Sequence, residues 1–386
     1  MNFFHLAAKS GYVFSSILGF SSVLLQANLI NEFYDNENYD DDSYVSDMFD
    51  DNYLIVDSST ENDQPRSQKQ IKPLPYRPLI DKASFYTQAE FLYWKVQEGE
   101  LNYTVIGEPS QLPPGQGNSG AVGTYKNATF ETHPGVRIGA GYRFKPEYWE
   151  VEGGYTYFFS QGSQSEKAPS NPNKLLNGTF HEETGSSIFI KATSHISFTY
   201  QTADLLIARR FLLTPSLLTR FKMGFTGAWI NQHWKFTYIG TGFSHFHLNW
   251  HFHGGGFKFG ADTEWLIWKG IGLEFKVAGA VLYGEFKSHQ KQISETPSFP
   301  PAIPFDVKNH DNRLVTTFQV LAGPTWGKQF HHWGIKMFAG YELNNWYNLQ
   351  EVYRSFFGEP TSGKDSRNVH ANIGLQGLTV NLNVNF

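Results

Sequence analysis

The chain has 386 residues with a formal net charge of -5, and 17 % of its residues are aromatic. It contains no cysteine, which excludes thiol catalysis, thiolate metal sites and a disulfide scaffold. After the N-terminus no stretch approaches the ~18 consecutive apolar residues that a membrane helix needs, so the composition also excludes a helical membrane protein.

The N-terminus carries the pattern of a secretion signal. Lys9 is the single basic residue before a mostly apolar run over 11–25, and the small residue Ala27 follows that run. A short basic start, an apolar core and a small residue at the end are typical of a cleaved signal peptide. We therefore predict a signal peptide over 1–27.

A strongly acidic segment follows. Between Glu32 and Asp63 lie twelve acidic residues and no basic one, ahead of a Pro-rich connector. Such a composition cannot bury enough apolar surface to fold, so we predict a disordered acidic tether over 28–81. Without residues 1–70, which hold three bases and these twelve acids, the rest of the chain carries about +4. The negative net charge of the whole chain therefore comes from the tether.

The remainder, 82–386, alternates apolar and polar residues in runs separated by turns of two kinds. Short turns are predicted at Lys145–Glu147, Thr214–Ser216, Lys269–Gly270 and Gly327–His331, and long connections near 97–131, 161–187, 232–251, 289–310 and 349–367. Four short and five long connections join ten strands, with both ends on one side, as in bacterial outer-membrane barrels. The predicted fold is an all-β, antiparallel, up-and-down transmembrane β-barrel of about ten strands, with a range of eight to twelve.

Charge is confined to one face of most predicted strands, because a charge on the lipid face would cost roughly 2–4 kcal/mol at midplane. Seven basic and seven acidic side chains are predicted to line the lumen. Balanced signs indicate a wet pore with weak ion preference, or equally a narrow interior filled by paired charges. The predicted pore-lining residues are Glu90, Arg137, Arg143, Glu150, Glu152, Arg220, Lys222, Lys258, Asp262, Glu264, Glu274, Lys276, Lys336 and Glu342.

The alternation breaks in two places, within Asp204–Arg210 and between Leu375 and Leu378. One extra residue exchanges the two faces of a strand, so we expect bulges there, or strand that extends beyond the bilayer.

The chain ends on an alternating strand with a terminal aromatic residue. In outer-membrane barrels the last strand closes the sheet against the first, and the assembly machinery reads its apolar positions. The predicted assembly signal comprises Val380, Leu382, Val384 and Phe386.

Few residues form a pattern that suggests metal binding or catalysis. His245, His247, His251 and His253 form two His-x-His pairs, a spacing that suits zinc, copper or nickel on a strand, but no carboxylate lies close in the sequence. No nucleophile elbow, phosphate loop or His-Glu-x-x-His motif is present. We therefore predict no enzyme, no metal and no cofactor. A His within reach of an Asp at the outer rim would favour a barrel enzyme instead.

Several blocks, in order, resemble the Legionella-type pore-forming major outer membrane proteins, which also occur in environmental chlamydiae. The resemblance covers nearly all of 82–386, whereas the acidic tether and the His-rich segment depart from it. It implies an outer-membrane barrel that acts as a porin and abundant surface antigen, without catalytic residues. The blocks are AEFLYWK at 89–95, YQTADLLIARR at 200–210, GFTGAWINQ at 224–232, GADTEWLIWKGIGLEF at 260–275, VLYGEF at 281–286 and LQGLTVNLNVNF at 375–386.

We therefore expect an integral outer-membrane porin that passes small hydrophilic solutes by diffusion. Its expected partners are the lipid bilayer, the barrel assembly machinery and the solutes, with no nucleic acid, and a homo-oligomer is compatible with this. The alternatives are a non-conducting adhesin or structural barrel, a barrel enzyme, and a soluble secreted β-protein.

Overall fold

The computed structural model describes residues 83–107, 123–145, 149–171, 174–180, 189–297, 299–330, 332–355 and 366–386. The predicted signal peptide and acidic tether lie outside the described residues. The strands within the described residues are β1 (Ser84–Glu98), β2 (Asn102–Gly107), β3 (Gly123–Asn127), β4 (Thr132–Arg143), β5 (Trp149–Lys167), β6 (Leu175–Gly178), β7 (Lys191–Thr214), β8 (Leu217–Ile239), β9 (Phe243–Trp268), β10 (Ile271–Thr296), β11 (Phe299–Gln329), β12 (Gly334–Ser355) and β13 (Ser366–Asn385). None of these residues belongs to a helix long and apolar enough to cross a bilayer.

Ten strands close into one antiparallel barrel, which confirms the predicted fold and strand number. Their order around the barrel follows the chain from β1 through β4, β5 and β7 to β13, which pairs with β1. At this seam Tyr86 lies opposite Asn385, and the Phe386 amide donates to the Phe85 carbonyl at 2.9 Å. The closed ring gives every barrel strand a paired neighbour on each side, as a lipid environment requires.

One end of the barrel, called the turn end below, carries the short connections. β7 ends at Thr214 and β8 begins at Leu217, and β9 and β10 are joined through Lys269 and Gly270, both as predicted. The last short turn lies later than predicted, because β11 continues to Gln329 and Gly327 pairs with Lys336. The predicted turn at 145–147 falls between β4 and β5, where residues 146–148 lie outside the described residues.

At the opposite end, the far end, much of what we predicted as long loops is strand. β8 runs to Ile239 and β9 starts at Phe243, so the predicted loop over 232–251 is wrong, and β10 and β11 likewise replace the loop over 289–310. In these extensions the alternation is inverted. Trp234 and Phe236 are buried while His233 and Lys235 are exposed, because the strands have left the lipid and now enclose an apolar interior.

The two predicted bulges are also wrong. The pairing of β7 with β8 is regular from Ala203 to Arg210, and that of β13 with β1 is regular through Leu375 and Leu378. The apparent breaks arise because Leu206 and Leu375 are apolar side chains that point into the barrel, where both are buried. An apolar interior makes the two faces of a strand look alike without any change of register.

The outer surface around the barrel is apolar and aromatic, as a lipid-facing wall requires. Outward side chains such as Phe91 on β1, Ile138 on β4, Met223 on β8 and Phe257 on β9 are each more than half exposed. On β1, β8 and β10 this band ends at aromatic residues, Tyr93, Trp229 and Tyr283, beyond which the next outward residues are polar. These three residues mark the level of the membrane interface at the far end.

A second sheet lies against the inner side of the far end. It consists of β3, β2 and β6, in that order. The Tyr238 hydroxyl, on an inward position of β8, donates to the Tyr103 carbonyl of β2. Phe180, just after β6, packs at 4.6 Å from Phe236. The inner sheet, meaning β2, β3 and β6, therefore covers the lumen at this end.

Candidate functional site

The lumen is the candidate site, because all fourteen predicted pore-lining residues lie on inward positions of their strands. None of these side chains is more than 20 % exposed. They occupy the half of the barrel next to the turn end, together with Asp204 and Arg210. We call these sixteen residues, eight of each sign, the charged layer.

Glu150 of β5 is the centre of the charged layer near the turn end. Its buried carboxylate pairs with Arg143 at 2.7 Å, with Arg210 at 2.5 Å and with Arg220 at 2.9 Å. Arg220 comes from β8 and also reaches Asp262 at 3.1 Å. The Glu150–Arg220 pair joins β5 to β8, which are not neighbours in the sheet, whereas the other three pairs join neighbouring strands.

A second group lies deeper in the barrel around Arg137 of β4. Its guanidinium binds the Glu90 carboxylate of β1 and, at 2.8 Å, the Glu342 carboxylate of β12. Glu342 also accepts hydrogen bonds from Gln319 at 2.5 Å and from Thr379 at 2.6 Å. A buried charge is tolerated only when it is paired and hydrogen-bonded in this way.

The remaining charges pair as well. Lys336 lies 2.7 Å from Glu264 and 3.1 Å from Glu274, and Lys258 lies 2.7 Å from Asp204. Lys222 pairs with Asp262 at 2.8 Å, and Lys276 lies 3.5 Å from Glu274.

Sequence reasoning missed three members of this network. Asp204 and Arg210 were hidden in the segment that we interpreted as a bulge, although continuous alternation places both inward. Tyr86 was missed because its ring resembles the lipid-facing aromatics. Its hydroxyl donates to Glu152 at 3.1 Å and accepts from Arg220 at 3.2 Å. Strict parity along β7 would have found the two charged residues, whereas only the tertiary structure identifies the tyrosine.

Two cavities lie among the side chains of the charged layer. Each cavity has a volume of about 90 Å³. One is lined by residues that include Glu90, Arg137 and Lys258, and the other, nearer the turn end, by residues that include Tyr86, Arg210 and Lys336. A water molecule needs roughly 10–15 Å³ of such volume, so each cavity can hold several waters but not a sugar.

The far half of the lumen has the opposite chemistry. We call its inward apolar side chains the aromatic layer. Trp94 lies at the boundary, with its indole N–H donating to Thr379 at 3.1 Å and its ring 5.4 Å from the Arg137 guanidinium. The buried aromatic residues beyond it are Phe158, Phe198, Tyr200, Trp234, Phe236, Tyr238, Phe246, Trp250, Phe252, Phe286 and Trp346.

Arg354 of β12 fastens the inner sheet to the barrel. Its guanidinium donates to the Glu100 carbonyl at 2.6 Å and to the Asn102 carbonyl at 3.0 Å. It also lies 4.0 Å over the Phe180 ring. Burial lowers the pKa of Arg354 to about 10, so the side chain is still charged at neutral pH. Arg354 thus contacts the inner sheet at two points, where the chain enters it from β1 and just after β6.

The His-rich segment is part of β9 and not of a loop. His245, His247, His251 and His253 all lie on its outward face, beyond the membrane interface. Within the described ranges no group of three His, Cys, Asp or Glu side chains could hold a metal ion. Nearby, His289 of β10 lies 2.8 Å from Asp306 of β11, and both side chains are about 40 % exposed on the outer wall.

The family described as Legionella pneumophila major outer membrane protein precursor has a model that matches residues 80–386. The chain belongs to this family. Short turns lie on the periplasmic side of such barrels, so the turn end is periplasmic and the far end extracellular. The first strand starts and the last strand finishes at the periplasmic end. Among curated proteins none matches the chain.

Solved outer-membrane barrels share the general architecture at low similarity. The outer membrane protease OmpT from Escherichia coli is 8 % identical with a TM-score of 0.35, over 78 % of this chain and 96 % of that one. The Pseudomonas putida toluene transporter TodX is 8 % identical with a TM-score of 0.28, over 78 % and 89 %. A Pseudomonas aeruginosa FadL homologue is 8 % identical with a TM-score of 0.24, over 79 % and 90 %.

The last strand of this family member presents its predicted assembly signal on the lipid-facing side. Leu382 is 41 % and Phe386 60 % exposed, and Val380 and Val384 share their parity. The Phe386 ring stacks on Phe85 of the first strand at 6.4 Å. Recognition of these four residues by the assembly machinery stays a prediction.

Proposed function

We propose that the protein is an outer-membrane porin for small hydrophilic solutes, closed at its extracellular end in this conformation. The observation that supports this is the charged layer around two cavities in the periplasmic half. An interior that served only as filling would be at least as stable with apolar residues, because buried ion pairs seldom repay their desolvation cost. Permeation would explain the charged residues, because charged side chains can exchange partners with passing ions and water.

The equal number of positive and negative charges supports weak ion preference. A channel of strong selectivity would carry rings of one sign. In the charged layer each cation already lies within 4 Å of a carboxylate, so neither sign dominates the lumen. A permeating anion or cation would therefore find partners of comparable strength.

The barrier to passage lies in the extracellular half. The aromatic layer excludes water, and the inner sheet covers it. Opening must displace these residues, and Arg354 is one of the contacts that hold the inner sheet in place, together with Tyr238 and Phe236. The Arg354→Ala variant removes four hydrogen bonds and one cation–π contact without altering the charged layer.

Planar bilayers test this proposal directly. We expect the wild-type protein to show stepwise openings with a reversal potential near zero under a salt gradient, and Arg354→Ala to spend more time open. Arg209→Ala is the matched control, since Arg209 is an exposed arginine on the lipid side of β7, over the Trp149 ring at 5.4 Å. It should leave gating unchanged.

A non-conducting structural barrel or adhesin is the second candidate, favoured by the complete pairing of the lumen charges. Protease protection would show whether the wild type and Arg354→Ala insert into the bilayer. If both insert and neither conducts, this candidate replaces the porin proposal. A surface-antigen role and a homo-oligomer stay predictions under both candidates.

We propose no enzymatic activity. The pair of His289 and Asp306 has the hydrogen bond that would favour a barrel enzyme, but it lies on the convex outer wall. An active site needs a cleft that orients the substrate and excludes water. In the described part of the chain neither cavity of the lumen contains a histidine.

A further inference from the structure

One sector of the outer wall beyond the membrane interface is basic. It is formed by the outward residues of β8 over 231–237, β9 over 245–253, β10 over 285–291 and β11 over 306–312, which we call the His–Lys face. It holds seven histidines and four lysines, against only Glu285 and Asp306. With neutral histidines its charge is +2, and every protonated histidine adds to that.

The register of the four strands aligns these residues in rows. One row places Lys235, His247 and Lys291 next to one another and ends on Asp306, opposite Lys291. The next row but one toward the membrane contains His251, Lys287 and His310. Cross-strand neighbours lie close enough to interact, and like charges in this position are unfavourable. Protonation of the histidines would therefore place like charges side by side, and a bound anion would offset that cost.

The two carboxylates of the face do not neutralise it. Glu285 pairs with His253, Lys287 and His310, and Asp306 pairs with His289. Within the described residues Lys235 has no carboxylate partner, whereas Lys291 and Lys308 lie near Asp306 without forming a salt bridge to it.

The neighbouring histidines reflect this positive potential. Burial lowers the pKa of His247, and the charges of Lys235 on one side and Lys291 on the other lower it further. Burial and Lys287 act in the same direction on the pKa of His251. A bound anion would reverse the electrostatic part of both shifts.

A groove lies directly on the membrane side of the face. Ala203, Gly227 and Gly255 are aligned across β7, β8 and β9 on the lipid-facing surface, and the next row holds the larger Leu205, Phe225 and Phe257. The missing side chains leave an open groove of about 560 Å³ with an apolar lining. Trp229, one row further toward the extracellular end, extends its ring toward Gly227, and Tyr283 flanks Gly255 in the same row.

We propose that the His–Lys face and this groove together bind a phosphorylated lipid of the outer leaflet. The phosphate would lie on the lysine and histidine rows, just beyond the interface where lipid head groups lie, and an acyl chain would lie in the groove. Basic clusters near a membrane surface gain about 1 kcal/mol per Lys or Arg from anionic lipids. The groove favours a lipid over a soluble anion, because a soluble anion has no apolar part to fill it.

The test uses the full-length protein in nonionic detergent, titrated with bisphosphorylated lipid A and followed by native mass spectrometry. Lys235→Gln/Lys291→Gln should bind roughly thirty-fold more weakly, because two basic contacts are worth about 2 kcal/mol and 1.4 kcal/mol is a factor of ten. The matched control is Lys95→Gln/Lys167→Gln, which removes two exposed outward lysines from β1 and β5. Its affinity should equal that of the wild type.

A second variant tests the groove without changing charge. A side chain at Gly255 has room, because an added Cβ would meet only the Thr226 carbonyl, at 3.6 Å. Gly255→Leu should fill the groove and weaken lipid A binding several-fold. Gly153→Leu is its control, since an added Cβ there meets only the Asp204 carbonyl at 3.9 Å, on the lipid-facing side of β5.

Three results would overturn the proposal. Equal affinity for lipid A and its dephosphorylated form would show that the acyl chains alone bind. Inorganic phosphate or a heparin oligosaccharide that competes at the affinity of lipid A would assign the face to a soluble anion or an extracellular polyanion. Equal losses in the Lys235/Lys291 and Lys95/Lys167 variants would show non-specific attraction. These outcomes do not depend on whether the barrel conducts ions.

Discussion

The periplasmic and extracellular halves of the lumen are filled in opposite ways. In the charged layer, sixteen charged side chains satisfy one another through ion pairs, whereas the aromatic layer consists of rings in contact, such as Phe236 and Phe246 at 4.6 Å. Water and ions can compete for a paired charge but gain nothing from entering between aromatic rings. Under the porin proposal, the charged layer would define what can pass, while the aromatic layer and the inner sheet would determine whether anything passes.

The largest effect should come from breaking the charged layer at its centre. Glu150→Gln leaves Arg143, Arg210 and Arg220 without their common carboxylate, and removal of one partner from a buried network costs about 3–5 kcal/mol. Urea unfolding of the refolded protein in detergent measures this loss. Glu166→Gln is the control, because its partly exposed pair with Lys126 at 3.6 Å should contribute less than about 1 kcal/mol. Equal losses in the two variants would contradict the structural role given to Glu150.

A cavity in the aromatic layer should come next. Phe236→Ala removes a fully buried ring that contacts Phe180, Trp234 and Phe246, at a cost of about 3 kcal/mol. The same variant should increase channel opening, because it loosens the barrier. Phe243→Ala, at the exposed first residue of β9, should change stability by no more than about 0.5 kcal/mol and leave the channel unaltered. Destabilisation without any increase in opening would place the barrier elsewhere.

A single charge in the lumen should have a smaller effect, on selectivity only. Lys222→Gln removes a positive charge from the lumen and should shift the reversal potential toward cation preference. In a hydrated lumen one charge at about 4 Å contributes roughly 1 kcal/mol, so the permeability ratio should change by no more than about fivefold. Lys269→Gln, in a periplasmic turn, is the matched control. An unchanged reversal potential in the open state would mean that Lys222 does not face the conducting path.

The smallest effect concerns pH and the boundary of the aromatic layer. Burial raises the pKa of the Glu98 carboxyl at the extracellular end of β1, and the Gln232 amide offsets only part of that rise. The folded state therefore takes up a proton, so stability should increase as pH falls from the folded pKa toward the unfolded value near 4.3. Glu98→Gln should be more stable than the wild type at pH 8, and the gain should disappear at low pH. A gain that is independent of pH would contradict this assignment.

Much of the barrel was predictable from local patterns. Charge on one face of most strands identified the fourteen predicted pore-lining residues as inward, and the turn at Thr214–Ser216 followed from its own residues. Alternation could not assign the strand faces where the interior is apolar, because Leu206 and Leu375 look the same as lipid-facing leucines. It also failed beyond the interface, where outward His233 and Lys235 made strand look like loop.

The sequence alone determined that the chain forms a closed barrel of about ten strands. Lipid penalises an outward charge on every strand, so polar and apolar residues alternate along the chain and mark the two faces. Only the tertiary structure decided which charge meets which, for example Arg137 with both Glu90 and Glu342. It also decided that the inner sheet covers the extracellular end and that basic residues of four strands form one face. These contacts join residues far apart in the chain, and their distances follow from the register and closure of the whole sheet rather than from any local pattern.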